Sequence, residues 1–336
     1  MAHELANEKD MVYTGSRPWH GLGEHMPEGF TTEDLKANPR LNYKVELRAS
    51  AMQVDGNWEK VPNANFVVRA DDNTIYGKGL SDSYVPVQNE VAFDFFDKFV
   101  EEGIATYETA GVLFGGSRVW VLCKMNLDPI EPIQNDIVEP YFLFSSGHDG
   151  EHAVKIMPTT IRVVCNNTLG WAEETGQNYH VKIIHKAGVH EAIADVREIT
   201  AQAAKGLKIT EEMLKVMADK PFDYKSLENY FRHSLRKPYR DPNEIKADDE
   251  AMEEALKSGS RAIEQMFEAY EWEAFNLPAD KRGTVFHAYQ AATHYTAHLR
   301  GGEKKDPTTR ASVNWYGEGA NIRNRALKKA RKLITA

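Results

Sequence analysis

Along the first half of the chain apolar residues alternate with polar ones or form short β-branched blocks, whereas in the later part they recur in steps of three and four. That change of period predicts strands followed by helices. Strands are expected at Asn42 to Val54, Asn65 to Arg69 and Thr74 to Leu80, with Asp55-Gly56 and Asp71-Asp72-Asn73 supplying the turns of an antiparallel meander. A helix capped by Asn89 follows, with Val91, Phe95 and Phe99, flanked by Ala92 and Phe96, forming a wide apolar stripe that ends at Gly103. Two more hairpins are expected. One joins Ala105–Phe114 to Arg118–Lys124 through Gly115-Gly116, and the other joins Tyr141–Ser145 to Glu151–Met157 through Gly147–Gly150. Ile161–Cys165 reads as a short buried strand, and Asn166-Asn167-Thr168 as a cap for a helix entering Leu169 to Ala172.

Beyond Lys186, Val189, Ile193, Val196, Thr200, Ala203, Leu207, Thr210, Leu214 and Met217 follow a heptad seam suited to helix pairing or subunit contact. Pro221 ends that helix. Further helices are expected at Tyr224–Leu235, Asp248–Phe275, Pro278–Leu299 and Gly319–Leu333. The fold class is therefore α+β: an antiparallel sheet with a packed helix over residues 1–186, then a helical region over 187–336 that ends in a basic helix.

The 336 residues can bury a sizeable core, and 42% hydrophobic with 27% charged residues is an ordinary globular balance. Apolar runs are too short to span a bilayer, and MAHELANEKD lacks the basic-then-apolar pattern of a signal peptide. A cytoplasmic protein with no membrane partner is expected. Cys123 and Cys165 form no CxxC pair, so a zinc site or disulfide framework is not expected. The net charge is −9, unevenly spread: Asp241 to Asp280 carries −9, whereas Arg300 to Ala336 carries +7.

Several segments together carry a family resemblance. They are Pro18 to Gly23 (PWHGLG), Tyr84 to Phe93 (YVPVQNEVAF), Ser146 to Gly150 (SGHDG), Pro158 to Leu169 (PTTIRVVCNNTL) and Gly283 to Tyr295. In this order they resemble the domain of unknown function 932 family of phage- and plasmid-related proteins. In the last segment the family pattern has asparagine and glutamate where this chain has Gln290 and His294. The resemblance implies a chain carried by a phage, prophage or plasmid, and it brings no established activity.

Candidate chemistry is sparse. Cys165 before a helix N-terminus, with His148 as its base, would make a cysteine-dependent enzyme. His294 and His298, four apart on one helix with His287 nearby, have a spacing that can hold a metal, but no HExxH accompanies them. Neither GxxxxGK[ST] nor GxGxxG occurs in a strand-to-helix setting. No catalytic residue, metal or cofactor is assigned.

The more coherent signal mixes cations with aromatics. Tyr230 to Arg240 holds Arg232, Arg236, Lys237, Tyr239 and Arg240 without an acid, and Arg310, Trp315, Arg323, Arg325, Lys328 and Lys329 repeat the mixture. Cations can hold phosphates while aromatic faces stack bases. The element order is also similar to that of Rad52-like single-strand annealing proteins, an analogy of order alone. The expectation is a homo-oligomer that binds single-stranded DNA, of the annealing recombination type. The alternatives are an interaction protein that blocks a host defence factor, with a phage or host protein as partner, and the Cys165 enzyme.

Overall fold

The structure is a computed structural model, and it describes residues 8–15, 23–162, 167–169, 181–193, 196–239, 260–300 and 318–335. Its strands are β1 (Met11–Tyr13), β2 (Glu24–His25), β3 (Val45–Val54), β4 (Asn57–Arg69), β5 (Ile75–Leu80), β6 (Ala105–Leu113), β7 (Arg118–Met125), β8 (Ile130–Ile133), β9 (Asp136–Gly147), β10 (Val154–Arg162), β11 (Asn167–Leu169) and β12 (Val181–Ile183). Its helices are α1 (Thr32–Ala37), α2 (Asn89–Asp94), α3 (Asp97–Glu101), α4 (Val189–Ile193), α5 (Val196–Asp219), α6 (Tyr224–Ser234), α7 (Arg261–Phe275), α8 (Val285–His294) and α9 (Glu318–Thr335). The fold is α+β. No helix of the described residues is long and apolar enough to cross a membrane.

The chain forms two compact units. The first comprises residues 1–127, 141–158 and 177–204, and the second comprises residues 128–140, 159–176 and 205–336.

In the first unit, β3, β4 and β5 make the expected antiparallel meander. β4 extends back to Asn57 and pairs with β3 as far as Val54↔Asn57, so the meander's first hairpin is much longer than the block at Asn65 suggested. A larger sheet places β7 between β6 and β9 through antiparallel ladders. α2 and α3 are one expected helix broken at Phe95-Phe96, and they pack an aromatic cluster onto this sheet. Phe99 meets Phe142 at 5.1 Å and Phe95 meets Phe144 at 5.2 Å between ring centroids. Each such buried ring contributes about 1.5–3 kcal/mol of transfer free energy, the main reason the helix stays on the sheet.

In the second unit α8 is the centre. Every residue from Val285 to His294 is buried, so this helix has no solvent face, and Met266, Phe267, Tyr230, Phe231, Ile322 and Leu327 surround it. It starts at Val285 because Thr284 caps it, its side chain accepting the His287 N–H at 3.3 Å. A π-helix, Tyr295–Leu299, continues it. Residues 167–169, expected to enter a helix, instead form β11 and pair with β10 as Ile161↔Thr168. The ladder, rather than a helix, takes up their backbone groups.

Part of the heptad seam is buried by its own chain. Val189 and Ile193 lie inside the first unit, and Leu214 and Met217 inside the core of the second.

Candidate nucleic-acid interface

The two basic stretches of the sequence meet in the second unit, where α6 packs against α9. The Tyr230 hydroxyl donates to Ala326 O at 3.0 Å, and Arg325 Nε donates to Ser234 O at 2.7 Å. α6 then ends in a tight reversal. Arg236 takes a left-handed conformation, φ 56°, and Lys237 N–H donates to Arg232 O at 2.7 Å. This is the 6→1 closure of a helix C-terminus, with arginine where glycine is usual. It folds Tyr239 back onto α6, where its hydroxyl lies 2.6 Å from His233 Nδ1. Lys329 from α9 places its Nζ 5.9 Å from the Tyr239 ring centroid.

Tyr239 is 56% exposed, the most open aromatic of this face. Arg236, Lys328 and Lys332 are exposed, and Lys237, Lys329 and Arg331 are half-buried. Burial lowers the His233 pKa, and so do the positive charges of Lys329, Lys332 and Arg325. His233 therefore reports that these cations converge. The only acid inside each helix, Glu228 and Glu318, is already engaged by an arginine: Arg232 Nε to Glu228 at 2.6 Å and Arg325 Nη2 to Glu318 at 2.5 Å.

Three of the expected residues have structural partners instead of an open surface. Arg232 and Glu228 form a nearly buried ion pair, and breaking such a pair costs about 3–5 kcal/mol. Arg325 satisfies a carbonyl at the α6 C-terminus, where positive charge also meets the negative end of the helix dipole. Arg323 is only 5% exposed and donates to Thr296 Oγ1 at 3.3 Å; burial pushes its pKa down to about 10. Tyr230 is a core residue. Arg240, Arg310 and Trp315 lie outside the described residues, as does Cys165. His233 was not among the sequence candidates, although it stands inside the basic stretch.

Three of the histidines considered for catalysis or metal, His148, His287 and His294, have local hydrogen-bond partners. In the first unit His148 is fully buried, and its Nε2 lies 2.7 Å from Asn89 Oδ1. Because Asn89 Nδ2 donates to Leu41 O, the proton is on Nε2. Burial pushes the His148 pKa down to about 3. Asp149 accepts the Glu151 and His152 N–H groups, each at 2.9 Å, and holds Arg118 at 3.1 Å. The His-Asp-Gly turn thus ties α2 to the β9–β10 hairpin. In the second unit His287 accepts Gly283 N–H at 3.2 Å, and its Nε2 lies 2.8 Å from Tyr270 O. His294 Nδ1 lies 3.1 Å from the buried Glu273 carboxylate. Among the described residues no group of three or more His, Cys, Asp or Glu side chains could hold a metal ion.

The first unit also has a cleft of about 500 Å³, whose Arg69 is paired to Asp71 at 2.6 Å and whose Arg40 lies 3.6 Å from Asp10. Its cations are therefore already matched by acids.

Comparison with known proteins adds a family and no activity. The family model for the domain of unknown function DUF932 matches residues 78–329, most of the chain. The protein belongs to that family. No curated protein and no solved structure matches it.

Proposed function

We propose that the protein binds single-stranded nucleic acid along the face shared by α6 and α9. The observation that supports this most is the meeting of Tyr239, His233 and Lys329, which come from stretches about ninety residues apart in the sequence. An open ring beside cations that pair with no acid among the described residues is the arrangement that stacks a base and holds the adjoining phosphates without reading sequence. In the same reading the chain works as a homo-oligomer of the annealing type. Val189, Ile193, Leu214 and Met217 of the heptad seam are buried by their own chain and are not available for a subunit contact.

Tyr239→Ala is expected to weaken binding of a short single strand by about 1–3 kcal/mol, because the ring is exposed and its loss removes stacking without disturbing the core. Arg232→Ala and Arg323→Ala are unsuitable probes, since each breaks interior contacts. Titration of a fluorescent oligonucleotide into the wild type and Tyr239→Ala, with thermal melting of both, decides the matter. Equal affinities at equal stability would show that the ring stacks nothing.

A further inference from the structure

In the first unit a separate group of cations is gathered with too little opposite charge among the described residues. β10 and β12 pair so that Lys155 lies directly opposite Lys182. Directly opposed side chains share one face of the sheet with Cβ atoms about 5 Å apart, and like charges in that position destabilise the ladder. Arg118 of β7 supplies a third charge, close enough to oppose protonation of both Lys155 and His152. Lys155 is half-buried, so water screens these repulsions less than at an open surface.

The nearby acid does not offset them. Asp149 is taken by Arg118, at 3.1 Å from both Nε and Nη2, and by the two backbone N–H groups of its turn. Among the described residues no carboxylate forms an ion pair with Lys155 or Lys182. Burial first, then the Arg118 and Lys182 charges, lower the Lys155 pKa. At neutral pH the charged lysine therefore costs stability, and hydrophobic replacements at half-buried strand positions normally improve it.

We propose that Lys155 and Lys182, in the field of Arg118, form a binding site for a phosphate group. Two ammonium groups with several rotatable donors suit a tetrahedral oxyanion, and a multiply charged anion gains from all three cations at once. Arg118, tied to Asp149, contributes its field and needs no new hydrogen bond. Binding turns the repulsion among the cations into attraction, so the ligand stabilises the folded state by mass action. The phosphate can be a free phosphomonoester or part of a polynucleotide backbone. This site is distinct from the α6–α9 face and does not depend on that reading.

The test is thermal unfolding at constant ionic strength and neutral pH, with sodium chloride replaced stepwise by sodium phosphate. The wild type is expected to gain several degrees in a saturable way. Lys155→Met is expected to melt higher than wild type in chloride, because a repelled charge is gone, and to lose the saturable gain. Lys155→Arg should keep the gain, and Lys182→Gln, at an exposed position, should lose most of it. Parallel titrations with a nucleoside monophosphate and a single-stranded oligonucleotide identify the source. Saturation by the monophosphate assigns a phosphomonoester, and saturation by the oligonucleotide alone assigns a polynucleotide. An equal phosphate gain in Lys155→Met, or a lower melting point of that variant in chloride, overturns the proposal.

Discussion

Gly116→Ala is expected to destabilise the first unit by about 3–5 kcal/mol, whereas Gly115→Ala, one residue away in the same turn, should cost only about 1 kcal/mol. Phe114, Gly115 and Gly116 all have positive φ, 55°, 66° and 100°, before Ser117 returns to φ −71° at the end of the β6–β7 connection. At Gly115 an added Cβ would meet nothing within 4 Å, which leaves only the backbone cost. At Gly116 it would lie 2.5 Å from the Tyr76 hydroxyl and 2.7 Å from that of Tyr43. Neither ring can easily yield. The Tyr43 hydroxyl donates to Gly116 O and that of Tyr76 donates to Gly115 O at 3.2 Å, while the Arg69 guanidinium lies 4.0 Å from the Tyr43 ring centroid. Urea denaturation of the two variants measures the contrast, and equal losses would mean that the tyrosines give way.

Acid is expected to unfold the first unit well before its carboxylates titrate. Burial pushes the His148 and His152 pKa values down to about 3, and lowers that of His185. A folded-state pKa below the unfolded value means that the unfolded chain takes up the proton first. The corresponding stability is present above about pH 6.5 and falls away as the pH drops towards 3. Between about pH 7 and pH 5 each of His148 and His152 should withdraw about 2 kcal/mol, or about 4 kcal/mol together. That is a large share of an ordinary domain's stability. The buried His148 Nδ1, which has no hydrogen-bond partner among the described residues, fits this assignment, since it is the bare nitrogen of a neutral ring. Free energies of unfolding at intervals across that range check it, and a flat profile from pH 7 to 5 would contradict the burial of these rings.

Much of the sheet was legible because its turns carry local chemistry. Asp55-Gly56 and Gly115-Gly116 occupy left-handed positions, and the strands beside them are β-branched and aromatic. Legibility failed where pairing outweighs local preference. β4 starts at Asn57, well before the expected Asn65, and runs through Pro62 and Asn63, the latter at φ 52°, residues that disfavour a strand. β8 and β12 are short and include charged or proline positions, Ile130-Glu131-Pro132-Ile133 and Val181-Lys182-Ile183. Residues 167–169 carry capping side chains, yet they are extended because β10 lies alongside.

The candidate interface was half legible. Cations and aromatics are visible in composition, and the meeting of α6 with α9 brings Tyr239 beneath Lys329. Which arginines are spent on structure was harder to see. Glu228 stands four residues before Arg232, a helix spacing readable in the sequence just outside the stretch that was singled out. The Ser234 carbonyl that fixes Arg325 lies 91 residues away, and no local pattern announces it.

The most direct test of the account is the salt dependence of single-strand binding. Each phosphate contact releases condensed counterions, so log K should fall by about 0.7 per unit of log salt for each cation engaged. Arg236, Lys237, Lys328, Lys329, Arg331 and Lys332 are open or half-open cations of the α6–α9 face, and replacing Arg236, Lys237 and Lys328 together by alanine should flatten the slope by about two units. Tyr239→Ala should weaken binding while leaving the slope unchanged, because stacking releases no ions. A wild type that binds no single strand at low ionic strength, or a slope unaltered by the triple replacement in a folded protein, would contradict the assignment of this face.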